Sequence, residues 1–231
     1  MNKTVVIHQP DFLSHLGFFH RFLNADLYVA LDHVQFVDGT SRSWTPREKI
    51  KTPRGVQWLT ISVRKTSRAT PINAVKLSET DWRAQNLNLV RENYRTAPYF
   101  REIFPELEKL YALPCARLVE FTIASIDMLL RLLDISIPRV LSSSLEPLGH
   151  KNELLVDILR KVGASRYLSG VGARDYFDPV PFARAGIDVA WQEFKHPVYP
   201  QLHGEFMPYL SSIDMLFNCG TEESRRILRS S

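Results

Sequence analysis

Cysteine is scarce in this chain: Cys115 and Cys219 are the only two among 231 residues. They form neither a CxxC pair nor a disulfide framework, so both are expected to be reduced core thiols, as in a cytoplasmic protein. Long apolar runs are lacking as well. No stretch of 18 apolar residues occurs, so no transmembrane helix is expected. The opening Met-Asn-Lys-Thr-Val-Val-Ile-His8 has neither a long apolar segment nor a small-residue cleavage site, and no secretory signal is expected. Internal repeats, low-complexity tracts and long linkers are also missing. These absences exclude solenoids, membrane-spanning bundles and disulfide-stapled scaffolds.

What remains is 45% hydrophobic and 23% charged, which fits a single α/β domain over residues 1–231, large enough to bury a substantial core. The net charge of +4 is unevenly spread. Residues 42–68 hold Arg42, Arg47, Lys49, Lys51, Arg54, Arg64, Lys65 and Arg68 against Glu48 alone, a local +7 that leaves −3 for the rest. A concentrated basic segment suits an anionic partner, although a solvated hairpin would look the same. Trp44 and Trp58 interleave with these cations, as in single-strand binders. The net acidity elsewhere and the pocket-like polar clusters favour a small anion bearing phosphate or carboxylate over nucleic acid.

Residues 4–8 and 26–32 read as two buried strands around a helix over 14–24, with Ser14 as its candidate N-cap; together they form a βαβ unit. The rhythm then breaks. Residues 44–51, a Thr-Pro-Arg-Gly turn at 52–55 and residues 56–63 predict a basic β-hairpin within an insert over 39–66. Residues 80–133 are helical. Asp81 or Thr80 caps a first helix, Pro98 opens a short second one, and Val119, Ile123, Ile126, Leu130 and Leu133 form the apolar stripe of a third. Alternation returns with a helix closed by Gly163, strands at 166–170 and 188–194, a helix over 210–218 before Gly220, and one more over 222–228. The expected fold is α/β, a Rossmann-like parallel sheet carrying a basic hairpin insert and a helical middle segment.

Five stretches can carry chemistry. His8-Gln9-Pro10 lies where the first strand ends, the position at which open α/β sheets bind ligands. His8 can act as acid, base or donor and Gln9 as donor and acceptor, although a satisfied core histidine would look the same. Asp32 and Gln35 follow the second strand and would sit beside them; a turn-capping Asp is the plainer alternative. Trp44, Arg47, Lys49 and Lys51 belong to the hairpin, where the three cations share one strand face. Ser169, Gly170, Gly172 and Tyr176 follow a third strand end, where glycine lets the backbone approach a ligand. His196, Tyr199 and Gln201 lie on a proline-bracketed loop after the last strand, where rigid packing would serve equally. His15 and His20, five residues apart, diverge by about 140° on a helix, which argues against a metal pair. No metal site is expected, and no cofactor can be named.

Taken in order, the segments resemble the WbqC-like family. The matching residues are Gln9-Pro10, Gly17-Phe-Phe, Asp26 through Phe36, Trp44, Arg47, Ile50, Gln57-Trp58-Leu59-Thr60, Ala97-Pro98-Tyr99-Phe100, Tyr167 through Ala173, Tyr199-Pro-Gln201 and Ser212 through Asn218. Asp11, Ser14, His15 and Pro46 depart from the family's usual pattern. The resemblance implies a bacterial protein encoded among genes for O-antigen, sugar-nucleotide or natural-product synthesis. It implies a group transferase of sugar, acyl or aminoacyl type, with a small anionic substrate and a carrier protein as conceivable partners. Within that frame His8, Gln9 and Asp32 are the candidate catalytic residues. Gln35, Trp44, Arg47, Lys49, Ser169, Gly170, Gly172, Tyr176, His196, Tyr199 and Gln201 are the candidate substrate contacts. A weaker likeness joins His15-Leu16-Gly17-Phe18 to the HIGH motif of ATP-using nucleotidylyltransferases and ligases, but the second histidine is missing. A non-catalytic scaffold or a nucleic-acid binder using the hairpin are the other readings.

Overall fold

The structure, a computed structural model, describes residues 2–37, 44–67 and 69–231. Arg42, Arg68 and the beginning of the 39–66 insert lie outside the described residues. Five parallel strands form one sheet: β1 (Thr4–His8), β2 (Leu27–Ala30), β5 (Arg139–Leu141), β6 (Arg166–Ser169) and β7 (Asp188–Trp191), in the order β5-β2-β1-β6-β7. From β1 the chain steps outward to β2, and β5 joins beyond it. It then returns to lay β6 and β7 on the other side of β1. The strand order therefore reverses between β1 and β6, and that gap opens at the carboxyl edge where α/β proteins hold ligands. The fold is α/β and Rossmann-like.

Val5, Val6 and Ile7, like Leu27 through Ala30, are buried on both faces of the sheet, the reason these strands read as continuous apolar runs. Val5, Ile7, Leu27, Val29 and Tyr167 pack toward α5 (Lys151–Lys161) and α6 (Pro179–Ala185). Val6, Tyr28, Ala30 and Leu168 face the opposite layer. That layer contains α1 (Leu16–His20), the helical middle α2 (Trp82–Tyr94), α3 (Phe100–Tyr111) and α4 (Leu118–Leu132), and α7 (Ser212–Arg229). Ile50 and Leu59 of the hairpin, β3 (Arg47–Thr52) and β4 (Gly55–Thr60), join the same apolar cluster, so the insert is welded to the core. Among the described residues no helix is long and apolar enough to cross a membrane.

Three local expectations change. The helix over 14–24 is a five-residue α-turn followed by a 3-10 turn over Arg21–Asn24, and its N-cap is His15 rather than Ser14. The Ser14 hydroxyl instead donates to the Asp11 carbonyl, while Ser212 occupies the Ser14 carbonyl through both its amide and its hydroxyl. The second middle helix starts at Phe100 and runs 12 residues, so it is not short. The two C-terminal helices are halves of one kinked element: Gly220 adopts φ 75° and ψ 175° at the break.

Candidate active site

Because β1 and β6 are parallel neighbours, their carboxyl ends emerge on the same edge, and the loop after β1 folds back across it. The Asp11 amide donates to the Gln9 carbonyl (2.9 Å), a tight turn that aims Gln9 and Asp11 into one space. The hairpin then docks on this loop. The Phe12 amide donates to the Thr45 carbonyl, and the Thr45 hydroxyl lies 3.0 Å from both Gln9 Oε1 and Asp11 Oδ1. A hydroxyl has one proton to give, so one of the two contacts must run the other way. A protonated Asp11 donating to Thr45, with Thr45 donating to Gln9, satisfies both. Burial supports this, pushing the Asp11 carboxyl up to about 7 against the pull of Thr45 and Arg21.

His8 completes the pair, with Nδ1 3.0 Å from the Gln9 carbonyl and 3.5 Å from Asp11 Oδ2. A carbonyl only accepts, so this network assigns the proton of the neutral ring to Nδ1 and leaves Nε2 as an acceptor. The side chain keeps 35% of its surface open at the mouth. Surrounding protein and the Arg21 charge nevertheless hold its pKa well below the usual histidine range. His15 is also kept neutral, chiefly by burial: its Nδ1 accepts the Gly17 amide (3.1 Å), and its pKa falls to about 4. Glu48, buried on the inner face of β3, takes the Lys49 amide on Oε1 (2.9 Å). Desolvation lifts its carboxyl to about 8, with Asp11 adding to the rise. Two buried acids that titrate near neutrality therefore lie beside two uncharged imidazoles.

The face of the hairpin opposite Glu48 carries an aromatic platform. The Trp44 and Trp58 rings lie 5.6 Å apart, the Arg47 guanidinium sits 4.3 Å from Trp58, and Lys49 Nζ sits 4.9 Å from Trp44. Lys51 shares their strand face but not their setting. Its ammonium is buried against Gln201 Oε1 and the carbonyls of Gly204 and Glu205, so one of the three cations expected to share that face for an anion is engaged within the protein.

Tyr199 and Gln201 turn inward. Tyr199 and Tyr94 donate their hydroxyls to the two oxygens of buried Asp214 (2.9 and 2.7 Å), and Gln201 clamps both the amide and the carbonyl of Met207. His196 accepts the Tyr209 amide at Nε2, and Phe206 and Tyr209 pack on its ring at the margin nearest His15. Ser169 is buried with its hydroxyl on Tyr167. Gly170 borders Arg21, while Gly172 and Tyr176 lie on the exposed turn Val171–Tyr176.

Asp32 and Gln35 sit apart from this space. Asp32 is buried and its carboxylate accepts from Ser142 Oγ (2.9 Å), Ser143 N (2.8 Å), Ser143 Oγ (2.7 Å) and Asn73 Nδ2 (3.4 Å). It ties the end of β2 to the turn after β5, beside a hollow of about 450 Å³ that also touches Arg117 and Glu120. Gln35 is exposed and bridges to Pro71. Asp32→Ala is expected to cost about 3 kcal/mol in urea unfolding, since it strands buried donors, and Asp32→Asn about 1 kcal/mol because one oxygen keeps its donors. Equal stability of all three proteins would remove this anchoring role.

Sequence reasoning missed Asp11, Thr45, Glu48 and Arg21. Two signals were available. Asp11 stands three residues after His8 on a post-strand loop, and Arg21 is a cation within the apolar run Leu16-Gly-Phe-Phe-His-Arg-Phe-Leu23. Arg21 is 6% exposed, and its Nε is buried without a hydrogen-bond partner. Among the described residues no group of three or more His, Cys, Asp or Glu side chains could hold a metal ion.

No solved structure is significantly similar to the chain. A Mycobacterium tuberculosis (strain ATCC 25618 / H37Rv) protein described as uncharacterized protein Rv1507c is 30% identical over 230 residues, spanning 95% of each chain. The profile of the WbqC-like protein family matches residues 9–226. With nearly its whole length matched, the chain belongs to the WbqC-like protein family.

Proposed function

We propose that the protein is a group transferase that moves a sugar, acyl or aminoacyl group from an anionic donor to a hydroxyl or amine. The observation that carries this reading is the Asp11 carboxyl. It is buried, titrates near 7, and stands at the strand-order reversal with Gln9, Thr45 and His8 around it. A carboxyl of that pKa is half ionised at neutral pH and can take and return a proton, the condition under which general acid–base catalysis is efficient.

In this reading Asp11 removes the acceptor's proton as its oxygen or nitrogen attacks the donor, and the proton then passes to the leaving group. Gln9, anchored by Thr45, holds the acceptor, and His8 Nε2 offers a lone pair to a donor N–H or O–H. The Trp44–Trp58 platform with Arg47 and Lys49 supports a flat or sugar-like anionic moiety through stacking and charge. Asp32 is a positioning residue that fixes the end of β2.

Thermal unfolding across a panel of sugar nucleotides, acyl-carrier thioesters, aminoacyl donors and ATP tests the reading. A true donor at a hundred times its Kd should stabilise the protein by about 2.7 kcal/mol. Trp44→Ala and Lys49→Ala are expected to weaken that donor. Absence of any response across the donor classes would overturn the transferase reading. A response confined to ATP would replace it with ligase-type chemistry.

A further inference from the structure

We propose that Arg21 is the seat of an oxyanion, a phosphoryl or carboxylate group, bound at the junction of β1 and β6. Arg21 opens the 3-10 turn after α1, and its side chain runs over the Phe18 ring, 5.6 Å from guanidinium to centroid. The residue is 6% exposed. Among the described residues no hydrogen bond or ion pair reaches its guanidinium, and Nε is buried and unpaired. A buried cation is costly unless it is paired, and structural arginines spend their forks on carboxylates or carbonyls. Arg229, which lines the same groove, does so: it is bound to the carbonyls of Leu133 and Asp134 and to the Asp134 carboxylate.

The surroundings leave room for a ligand. At the end of β6 the chain carries Gly170, where a Cβ would lie 3.4 Å from Arg21 Nη1, so the absent side chain keeps one side of the fork uncovered. Arg21 also forms part of the wall of a groove of about 690 Å³ shared with His20, Leu168, Trp191, Gln192 and Glu193. Asp11 lies within electrostatic influence of the guanidinium but forms no ion pair with it, and the nearby His8 and His15 rings are neutral. The cation, offset only at a distance by Asp11 and the Tyr28 and Tyr167 hydroxyls, thus stands without a hydrogen-bonded or ion-paired partner among the described residues, at the position where open α/β sheets bind ligands. The planar fork matches two oxygens of a phosphoryl or carboxylate group.

The inference rests on the active-site reading only for which molecule owns the oxyanion. Thermal unfolding of the full chain is followed while inorganic phosphate, pyrophosphate or acetate replaces chloride at constant ionic strength. At least one of the three should stabilise the wild type saturably. A response to the phosphates identifies a phosphorylated substrate, and a response to acetate alone a carboxylate. Arg21→Met removes the charge at similar length, so it is expected to melt no lower than wild type without ligand and to bind the oxyanion about 10–100-fold more weakly.

Gly170→Ala provides a second arm. Its φ of −74° suits alanine, and its Cβ makes ordinary contact with Nη1, so it should fold normally while covering the fork and weakening the anion. An unchanged anion response in either variant, or none in the wild type, would overturn the proposal. Because only binding is read, a fully active Asp11→Asn would sink the acid–base reading and leave this one standing.

Discussion

Asp11→Asn should lower turnover by about 10²–10⁴-fold while the fold persists, since it replaces a positioned acid–base group with a near-isosteric amide. The amide can keep the 3.0 Å contact with Thr45, because the hydroxyl accepts as well as donates. A second readout separates chemistry from packing. The Asp11 carboxyl is raised from 3.8 to about 7 and that of Glu48 from 4.5 to about 8, both chiefly by burial. Between the unfolded and folded values the folded chain holds protons that the unfolded chain has released. Stability from these groups is therefore full below the unfolded value and is lost as pH rises to the folded one. Each acid contributes a downward slope of at most about 1.4 kcal/mol per pH unit.

His8 and His15 act in the opposite sense. Their folded pKa values are lowered, so stability increases with pH until the unfolded histidine value of 6.5 is passed. The histidines offset the acids below pH 6.5; from there to about 8 Asp11 and Glu48 slope the stability downward, and buried Asp214, also raised by burial, acts in the same direction. The wild type should thus lose stability across that upper window. Asp11→Asn should lose the part of the slope that ends near 7, with the Glu48 part remaining. Wild-type turnover in this variant would remove Asp11 from the chemistry, and an unchanged stability profile would show that it does not titrate near neutrality.

Gly220→Ala is expected to destabilise the protein by about 3–5 kcal/mol, from backbone strain together with overpacking. The kink in α7 needs φ 75° and ψ 175°, a region open essentially to glycine alone. A Cβ there would meet Tyr99 Cδ1 and Cε1 at 2.6 Å. Tyr99 cannot retreat freely at its root, since its amide is tied to the Phe217 carbonyl (3.1 Å). The loss is a large share of the stability of an ordinary domain, about 5–15 kcal/mol. Tyr99→Ala in the same chain should restore the steric part and leave the strain. Gly172→Ala serves as the control, because a Cβ at that position meets nothing within 4 Å. A Gly220→Ala midpoint in urea equal to that of Gly172→Ala would show that the kink tolerates a side chain.

How far the molecule can be read from its sequence depends on the range of the interaction concerned. The strand Thr4–His8, the apolar stripe of α4 and the breaks at Gly163 and Gly220 follow from neighbours a few residues apart, and periodicity and φ preference reveal them. The strand-end position of His8 and Gln9 was legible for the same reason. Asp32, Tyr199 and Gln201 were legible only as polar residues near strand ends. Their side chains are decided by partners 110, 15 and 150 positions away, at Ser142, Asp214 and Lys51. No local pattern carries such pairings, because a carboxylate that accepts four donors and one that faces substrate have the same sequence neighbours. The sequence by itself determined the parallel α/β frame, the family and the strand-end placement of His8 and Gln9. Only tertiary packing decided which polar groups remained there, because the desolvation that lifts Asp11 and Glu48, and the missing partner of Arg21, arise when the hairpin and the β6 end close around the loop after β1.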